Sequence, residues 1–414
     1  MGSVLVIGGG AAGLAAAIAA AECGDTVTVA EKMDRVGKKI LATGNGRCNL
    51  MNTGAPRYPG NAAFAADVLS HCGAEAQKAF WEHLGLRLRQ EEAGRMYPVS
   101  SQASSVLDAL RLQLTALHVR VVTGVSITAL NRESDGWTAL SADGQRFRAN
   151  RVIISGGGCA QPKLGSDGSA LRLLTNLGCP ATPFAPALTQ IITDSTSIKG
   201  LNGIRVKAQV AVIDRKSVLH EEDGELLFAD YGVSGVCVMQ CARYAKDGRV
   251  LRVSLVKGMG FADAGDFRRE LHQRRKNWAQ RPMAEMLTGL CVPRLSAALM
   301  RQADWRVTES TLCGQMTADM AERLTQTADG WLLPIRGVKG FESAQVASGG
   351  AAVADFDPAT LQNRRLPGLY AAGEVLDVDG DCGGFNLMFA FGSGILAGLD
   401  GRNVPWTHEN AQKS

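Results

Sequence analysis

The densest chemistry-bearing pattern lies close to the N-terminus. Gly8-Gly9-Gly10-Ala11-Ala12-Gly13 follows the apolar run Ser3–Ile7 and precedes the alanine-rich stretch Leu14–Ala21. This is G-x-G-x-x-G with a strand before it and a helix after it, the context the motif needs to hold a dinucleotide. Gly8 permits the tight turn, Gly10 lets backbone approach a pyrophosphate, and Gly13 lets the helix pack on the strand. The free N–H groups of the helix N-terminus, with Ala11 and Ala12 in its first turn, then face the phosphates. A second strand, Thr26–Ala30, runs into Glu31, 23 residues after Gly8. That is where a carboxylate would meet ribose hydroxyls, and its charge argues against a 2′-phosphate there.

Three further segments favour FAD over NAD. Residues 31–49 form a long Gly-rich loop where an NAD enzyme would have a short turn. In it Gly44 and Gly46, with Asn45, Arg47 and Asn49, suggest a backbone cradle, and Lys38, Lys39 and Arg47 offer positive charge. Arg151–Gly158 reads as a strand ending in glycines. Pro367–Gly380 reads as a last strand, 368–372, ending at Gly373-Glu374, and Cys382–Met388 leads into a small-residue helix over 387–399. An extended FAD would have its ribitol at Gly373-Glu374. Its flavin edge would lie near Asn386 and Leu387, where the helix dipole stabilises negative charge on the reduced ring.

These elements must hang on a larger frame. The chain has 414 residues, 46% of them hydrophobic, which is enough for two or three domains. Short strands over 118–149 are separated by Asp-Gly turns. From about 203 to 256 the pattern alternates: 204–213 and 249–256 read as strands, with a short apolar run at 225–228 between them. Residues 263–325 carry helical spacing, and strands return at Trp331–Ile335 and 344–347. A β-rich insert enclosing a helical cap follows. The net charge of +4 does not point to nucleic acid. The basic run Phe267–Lys276 reads as a solvated helix face, with RNA or an anionic substrate as the alternative. The ten Cys are scattered, without C-x-x-C or Cys/His clusters, so no metal site is expected. Unpaired thiols and the absence of a basic leader before the N-terminal apolar run indicate a cytoplasmic setting, and no stretch is long enough to span a membrane.

Several segments are more specific than the glycine pattern. Gly37–Asn49, Gly224–Gly235, Gly340–Gly350 and Gly368–Gly380 resemble signatures of the BaiN/YhiN-type bacterial flavoproteins, and the resemblance covers nearly the whole chain. It departs at Ser155–Lys163, where Cys159-Ala160 stands in place of other polar or aromatic residues. The resemblance implies an α/β, Rossmann-like, glutathione-reductase-like FAD domain split by an inserted β-barrel-like and small helical domain. The corresponding boundaries are 1–188 and 344–414 for the FAD domain and 189–343 for the insert, with the barrel at 189–258 and 326–343 and the cap at 259–325. The family includes NAD(P)H-dependent reductases of conjugated steroid-type enones and an aminoacetone oxidase.

The cofactor-binding set expected is Gly8, Gly10, Ala11, Ala12, Gly13, Glu31, Lys32, Gly37, Lys38, Lys39, Asn45, Gly46, Arg47, Cys48, Val125, Gly156, Gly157, Gly373, Glu374, Gly384, Asn386 and Leu387. Arg47, Cys48 and Ser348 are the candidate catalytic side chains. Cys48 would serve as a redox partner or proton donor, or merely as a packing residue, since no second Cys follows before Cys72. No second dinucleotide unit is present, so NAD(P)H would dock transiently. The readings, in order, are a FAD-dependent reductase or dehydrogenase of a small organic substrate, an O₂-using amine oxidase, and an RNA-acting or regulatory flavoprotein.

Overall fold

The computed structural model describes residues 2–403 and Trp406; the other C-terminal residues of the expected 344–414 segment lie outside the described part. It divides into two compact units, Met1–Ala185 with Gln345–Ser414, and Pro186–Ala344.

The first unit is built on a parallel sheet. Strand β1 (Ser3–Ile7) lies at its centre, with β2 (Thr26–Glu31) and then Arg120–Thr123 on one side, and Arg151–Ile154 and then Leu369–Ala371 on the other. Parallel strands covered on both faces read as unbroken apolar runs, and Val4–Ile7 and Val152–Ile154 do so. Helix α1 (Ala11–Glu22) is apolar all round and buried from Ala12 to Ala20. It packs on the C-terminal helix Phe385–Leu399 at backbone distance: a Cβ on Gly394 would lie 2.2 Å from the Ala12 carbonyl oxygen. That contact places the two helices that carry the glycine junctions side by side.

The segment read as a long loop after Glu31 contains structure. Helix α2 (Lys38–Ala42) forms there, followed by a 3₁₀ turn at Thr43–Gly46. The five-residue helix is too short for periodicity to reveal.

The second unit is a closed six-stranded barrel of Ile191–Thr193, Gly232–Ser234, Ser217–Ala229, Arg205–Asp214, Val250–Ser254 and Trp331–Val338. Helices Ala264–Asn277, Pro293–Gln302 and Ala318–Asp329 belong to the same unit and share its separate core, which includes Phe228, Phe267 and Trp331. The short run at 225–228 is the end of a strand of 13 residues, Ser217–Ala229. Its first half carries His220, Glu221, Glu222 and Asp223, whose polarity hid the strand, yet it pairs with Arg205–Asp214 along its length.

Candidate cofactor and active site

The β1–α1 turn is fixed by its own backbone. Gly8 N–H donates to the Ala30 carbonyl at 2.9 Å, and Gly37 N–H donates to the Gly9 carbonyl at 2.8 Å. Gly8 has φ +106°, and a Cβ on Gly13 would lie 1.9 Å from the Gly8 carbonyl oxygen, so both positions exclude a side chain. Ser155 Oγ ties Arg151–Ile154 to the turn by donating to the carbonyls of Ile7 and Gly8 at 3.1 and 3.0 Å. Gly10 differs: a Cβ there meets nothing within 4 Å. Helix α1 has no side-chain cap and no acid in its first turn. Its N–H groups are left to an anion. At the end of β2 the Glu31 carboxylate accepts from Gly9 N–H at 2.6 Å and Met33 N–H at 2.8 Å.

The other wall comes from the chain's last third. Gly373 N–H donates to Ser393 Oγ at 2.9 Å. Glu374 holds Lys39 Nζ at 2.8 Å with one oxygen and accepts Ala347 N–H at 2.7 Å with the other. The C-terminal helix also begins without a side-chain cap, at Gly384. Asn386 folds the preceding loop back on the first turn: it accepts Gly380 N–H at 2.8 Å and donates to the Gly380 carbonyl at 2.7 Å. Tyr58 Oη donates to the Phe385 carbonyl at 2.9 Å, and Arg57 pairs with Asp381 at 2.7 Å.

These walls line an open cleft whose space, solvent at its mouth included, is about 990 Å³. Of the expected residues, Gly8, Gly10, Ala11, Ala12, Glu31, Gly37, Lys38, Lys39, Gly156, Gly157, Gly373, Glu374, Asn386 and Leu387 line it. Lys32 and Val125 line a smaller annex that shares Gly8, Glu31, Gly156 and Gly165 with it. There Lys32 pairs with Asp167 at 2.6 Å; burial alone would raise the Asp167 carboxyl, but Lys32 and Ser169 outweigh it and hold it at about 2.

The remaining expected residues stand apart. Gly13 lies beneath the turn as a packing position. Asn45 is exposed, and neither it, Gly46, Gly384 nor Ser348 lines either space. Ser348 Oγ instead donates to the Ala185 carbonyl at 3.3 Å. Arg47 is turned to Glu91, with its guanidinium 4.1 Å over the Tyr97 ring, so its charge is spent away from the cavity. Cys48 is fully buried, and burial pushes its thiol up to about 12, which removes the thiolate that redox chemistry needs. Sequence reasoning missed Thr43, Gly165, Ser166, Gln345 and Val378, which also line the cavity. They come from irregular turns and strand ends that carry no periodic signal. Among the described residues no group of three or more His, Cys, Asp or Glu could hold a metal ion.

The uncapped N-terminus of α1 and the first turn of the C-terminal helix, at Asn386 and Leu387, border one cavity that Glu31, Val378 and Phe389 also line. That donor set suits a molecule with a diphosphate in its middle and a polar ring at its far end. Residues 2–400 match the family model described as the HI0933-like protein Rossmann domain. The chain belongs to this family. Over 409 residues it is 37% identical to a 3-dehydro-bile acid delta(4,6)-reductase of Clostridium scindens, covering 96% of this chain and 98% of that one. It is 25% identical to a ribosomal RNA dihydrouridine synthase of Escherichia coli, covering 96% and 97%. Among solved structures, a 3-ketosteroid-delta4-(5alpha)-dehydrogenase of Rhodococcus jostii RHA1 superposes with a TM-score of 0.49 at 16% identity, over 97% of each chain. As a member of the HI0933-like family the chain is a flavoprotein oxidoreductase with an FAD-binding fold. No helix among the described residues is long and apolar enough to cross a membrane.

Proposed function

We propose that this flavoprotein reduces a carbon–carbon double bond conjugated to a carbonyl in a small organic substrate, with NAD(P)H as a transient donor. The observation that carries the reading is the pair of uncapped helix N-termini on one cavity, next to Lys39 and Glu374. An FAD held there would supply hydride transfer from the donor to the electron-poor β-carbon of the substrate, with a proton from solvent completing the saturation at the α-carbon. The α1 N-terminus would hold the diphosphate and Glu31 the ribose hydroxyls. The N-terminus of the C-terminal helix would stabilise negative charge at the ring's polar end. Leu387, Val378 and Phe389 would exclude water beside it.

The relatives support the substrate class. Both printed names denote saturation of a double bond conjugated with a carbonyl, in a bile acid in one case and in uridine in the other. The small-molecule reading ranks first on identity. On the helix Ala264–Asn277, whose cations would otherwise suggest RNA, three of the five Lys and Arg side chains are paired with carboxylates. Arg268 pairs with Glu322 at 2.7 Å, Arg269 with Asp266 at 3.1 Å and Arg274 with Glu270 at 2.6 Å.

The test is an anaerobic titration of the purified yellow protein with NADH and with NADPH, followed by a 3-keto-4-ene steroid. Bleaching by one nucleotide and recovery of the flavin bands on adding the enone support the reading. Bleaching without recovery by any enone, together with salt-sensitive binding of a ribosomal RNA fragment, would move the assignment to RNA.

A further inference from the structure

One short segment, residues 52–61, braces the chain that leads into the C-terminal helix. Asn52 Nδ2 donates to the Gly383 carbonyl at 2.9 Å, and Asp381 N–H donates to the Arg57 carbonyl at 2.9 Å. Asn61 Nδ2 donates to the Asp377 carbonyl, and Tyr58 Oη donates to the Phe385 carbonyl at 2.9 Å. The packing is close: a Cβ on Gly380 would lie 2.8 Å from Phe385 Cβ and 3.1 Å from the Tyr58 ring. Asn52, Tyr58 and Asn61 do not line the cofactor cleft, whereas Val378, Asn386 and Leu387 do.

Of these contacts, the one from Tyr58 reaches the helix itself. The helix has no side-chain cap, and its first internal bond runs from Met388 N–H to the Gly384 carbonyl at 3.0 Å. The N–H groups of Phe385, Asn386 and Leu387 therefore have no partner within the helix. The Phe385 carbonyl and the Asn386 N–H are the two ends of one planar peptide group. A hydrogen bond donated to the carbonyl fixes the orientation of that plane and strengthens the N–H at its other end as a donor. Tyr58 is 5% exposed, and burial raises its phenol, which keeps the hydroxyl protonated. Its ring makes edge contacts with Phe385 and Phe389, at 5.9 and 6.2 Å between centroids. The ring supplies the packing, and the hydroxyl adds the bond to the helix.

We propose that Tyr58 is a positioning residue for the cofactor's ring: through the Phe385 carbonyl it aims and polarises the Asn386 N–H at the cleft, which favours reduced, negatively charged flavin over oxidised flavin. The proposal rests on the FAD reading above, which sets the ring's polar end at this helix.

The experiment measures the two-electron midpoint potential of the bound flavin, by anaerobic dye-coupled reduction, in full-length wild type, Tyr58→Phe, Tyr58→Met and Asn61→Ala. The melting temperature of each flavin-free protein is recorded alongside. Tyr58→Phe keeps the ring and removes the hydroxyl. Its affinity for reduced relative to oxidised flavin should fall about threefold, which lowers the potential by ~15 mV. Tyr58→Met fills the space with a flexible side chain that also lacks the hydroxyl, and should show the same shift. Asn61→Ala removes a brace from the same loop, but at the Asp377 carbonyl, whose peptide N–H, on Val378, already donates to the Leu376 carbonyl at 2.7 Å. Its potential should stay at the wild-type value whatever its melting temperature. An unchanged potential in either Tyr58 variant, or an equal fall in Asn61→Ala, overturns the role of Tyr58 and leaves the FAD reading standing. A wild-type protein that binds no FAD overturns both.

Discussion

Lys39 and Glu374 stand 335 positions apart in the chain, yet Lys39 Nζ lies 2.8 Å from Glu374 Oε2 on the wall of the cavity. The same carboxylate accepts Ala347 N–H through Oε1, so one side chain ties α2 to the strand Val346–Ala351. Glu374→Gln keeps an acceptor for Ala347 and removes the charge; Glu374→Ala removes both. FAD affinity should therefore fall in the order Glu374→Gln, then Glu374→Ala, with Lys39→Ala close to the Gln variant at roughly a tenfold loss. The Lys39→Ala/Glu374→Ala double variant should lose less than the two single losses added, because the two groups contact each other. Flavin fluorescence titration reads all four constants. Equal losses for Gln and Ala at position 374 would show that the Ala347 contact is idle.

Gly10 and Gly13 belong to one motif but face opposite surroundings. A methyl on Gly13 collides with the Gly8 carbonyl at 1.9 Å, whereas one on Gly10 meets nothing within 4 Å. Gly13→Ala should destabilise the first unit by about 1–3 kcal/mol or more. Gly10→Ala should leave the melting temperature of the flavin-free protein in place, and its methyl should occupy the space the cofactor's phosphates need. Thermal melts beside flavin stoichiometry separate the two; a Gly10→Ala protein that stays yellow would contradict the assignment.

Asp25 anchors the opposite end of the parallel sheet. Its side chain is 4% exposed, accepts Gly2 N–H at 2.9 Å, and pairs with Arg402 at 2.6 Å and with Arg151. Burial alone would raise its carboxyl. The hydrogen bonds from Arg402 and Gly2 and the charge of Arg151 outweigh burial and hold it below the ordinary carboxylate range. A carboxyl lowered in the folded state adds stability above the unfolded value, near 3.9, and that stability is lost as pH falls through the folded value. Asp25→Asn should therefore be less stable than wild type at pH 7 by about 2 kcal/mol, since it removes the carboxylate that Arg151 and Arg402 share and leaves Arg151 with Asp400 alone. The gap should narrow below about pH 4. Urea denaturation at pH 7 and pH 3.5 measures it; a gap independent of pH would exclude this role for the carboxylate.

Cys48 has the residue type for redox chemistry but the wrong surroundings. It is fully buried, its thiol is raised to about 12, and it does not line the cavity. Native protein should resist iodoacetamide at Cys48 at pH 8, and Cys48→Ala should be reduced by NAD(P)H at a rate within about twofold of wild type. Peptide mapping and stopped-flow bleaching test these expectations. Loss of reduction in a folded, flavin-loaded Cys48→Ala protein would return the thiol to the mechanism.

The local code of the cofactor domain was legible without coordinates. Strand, Gly8–Gly13 turn, alanine-rich helix and Glu31 are all set by short-range rules: apolar continuity, backbone room at glycine, and helix propensity. Gly373-Glu374 and Asn386-Leu387 were visible for the same reason, as a second strand-to-helix junction. Other features depended on packing between distant segments. The sequence offered Arg47 as a cofactor cation, and the structure places Glu91 and Tyr97 beside it; Cys48 stood open between reactivity and packing, and its burial fits the packing reading. Charge and nucleophilicity are properties of surroundings, and surroundings are assembled by residues far apart in sequence. The strand Ser217–Ala229 illustrates the same point, because its acidic half is held by pairing rather than by its own pattern. The sequence determined where backbone can approach a dinucleotide. Tertiary structure alone decided which polar groups are satisfied and which, like Asn49 Oδ1, are buried without a partner, since hydrogen-bond satisfaction is settled only when every neighbour is in place.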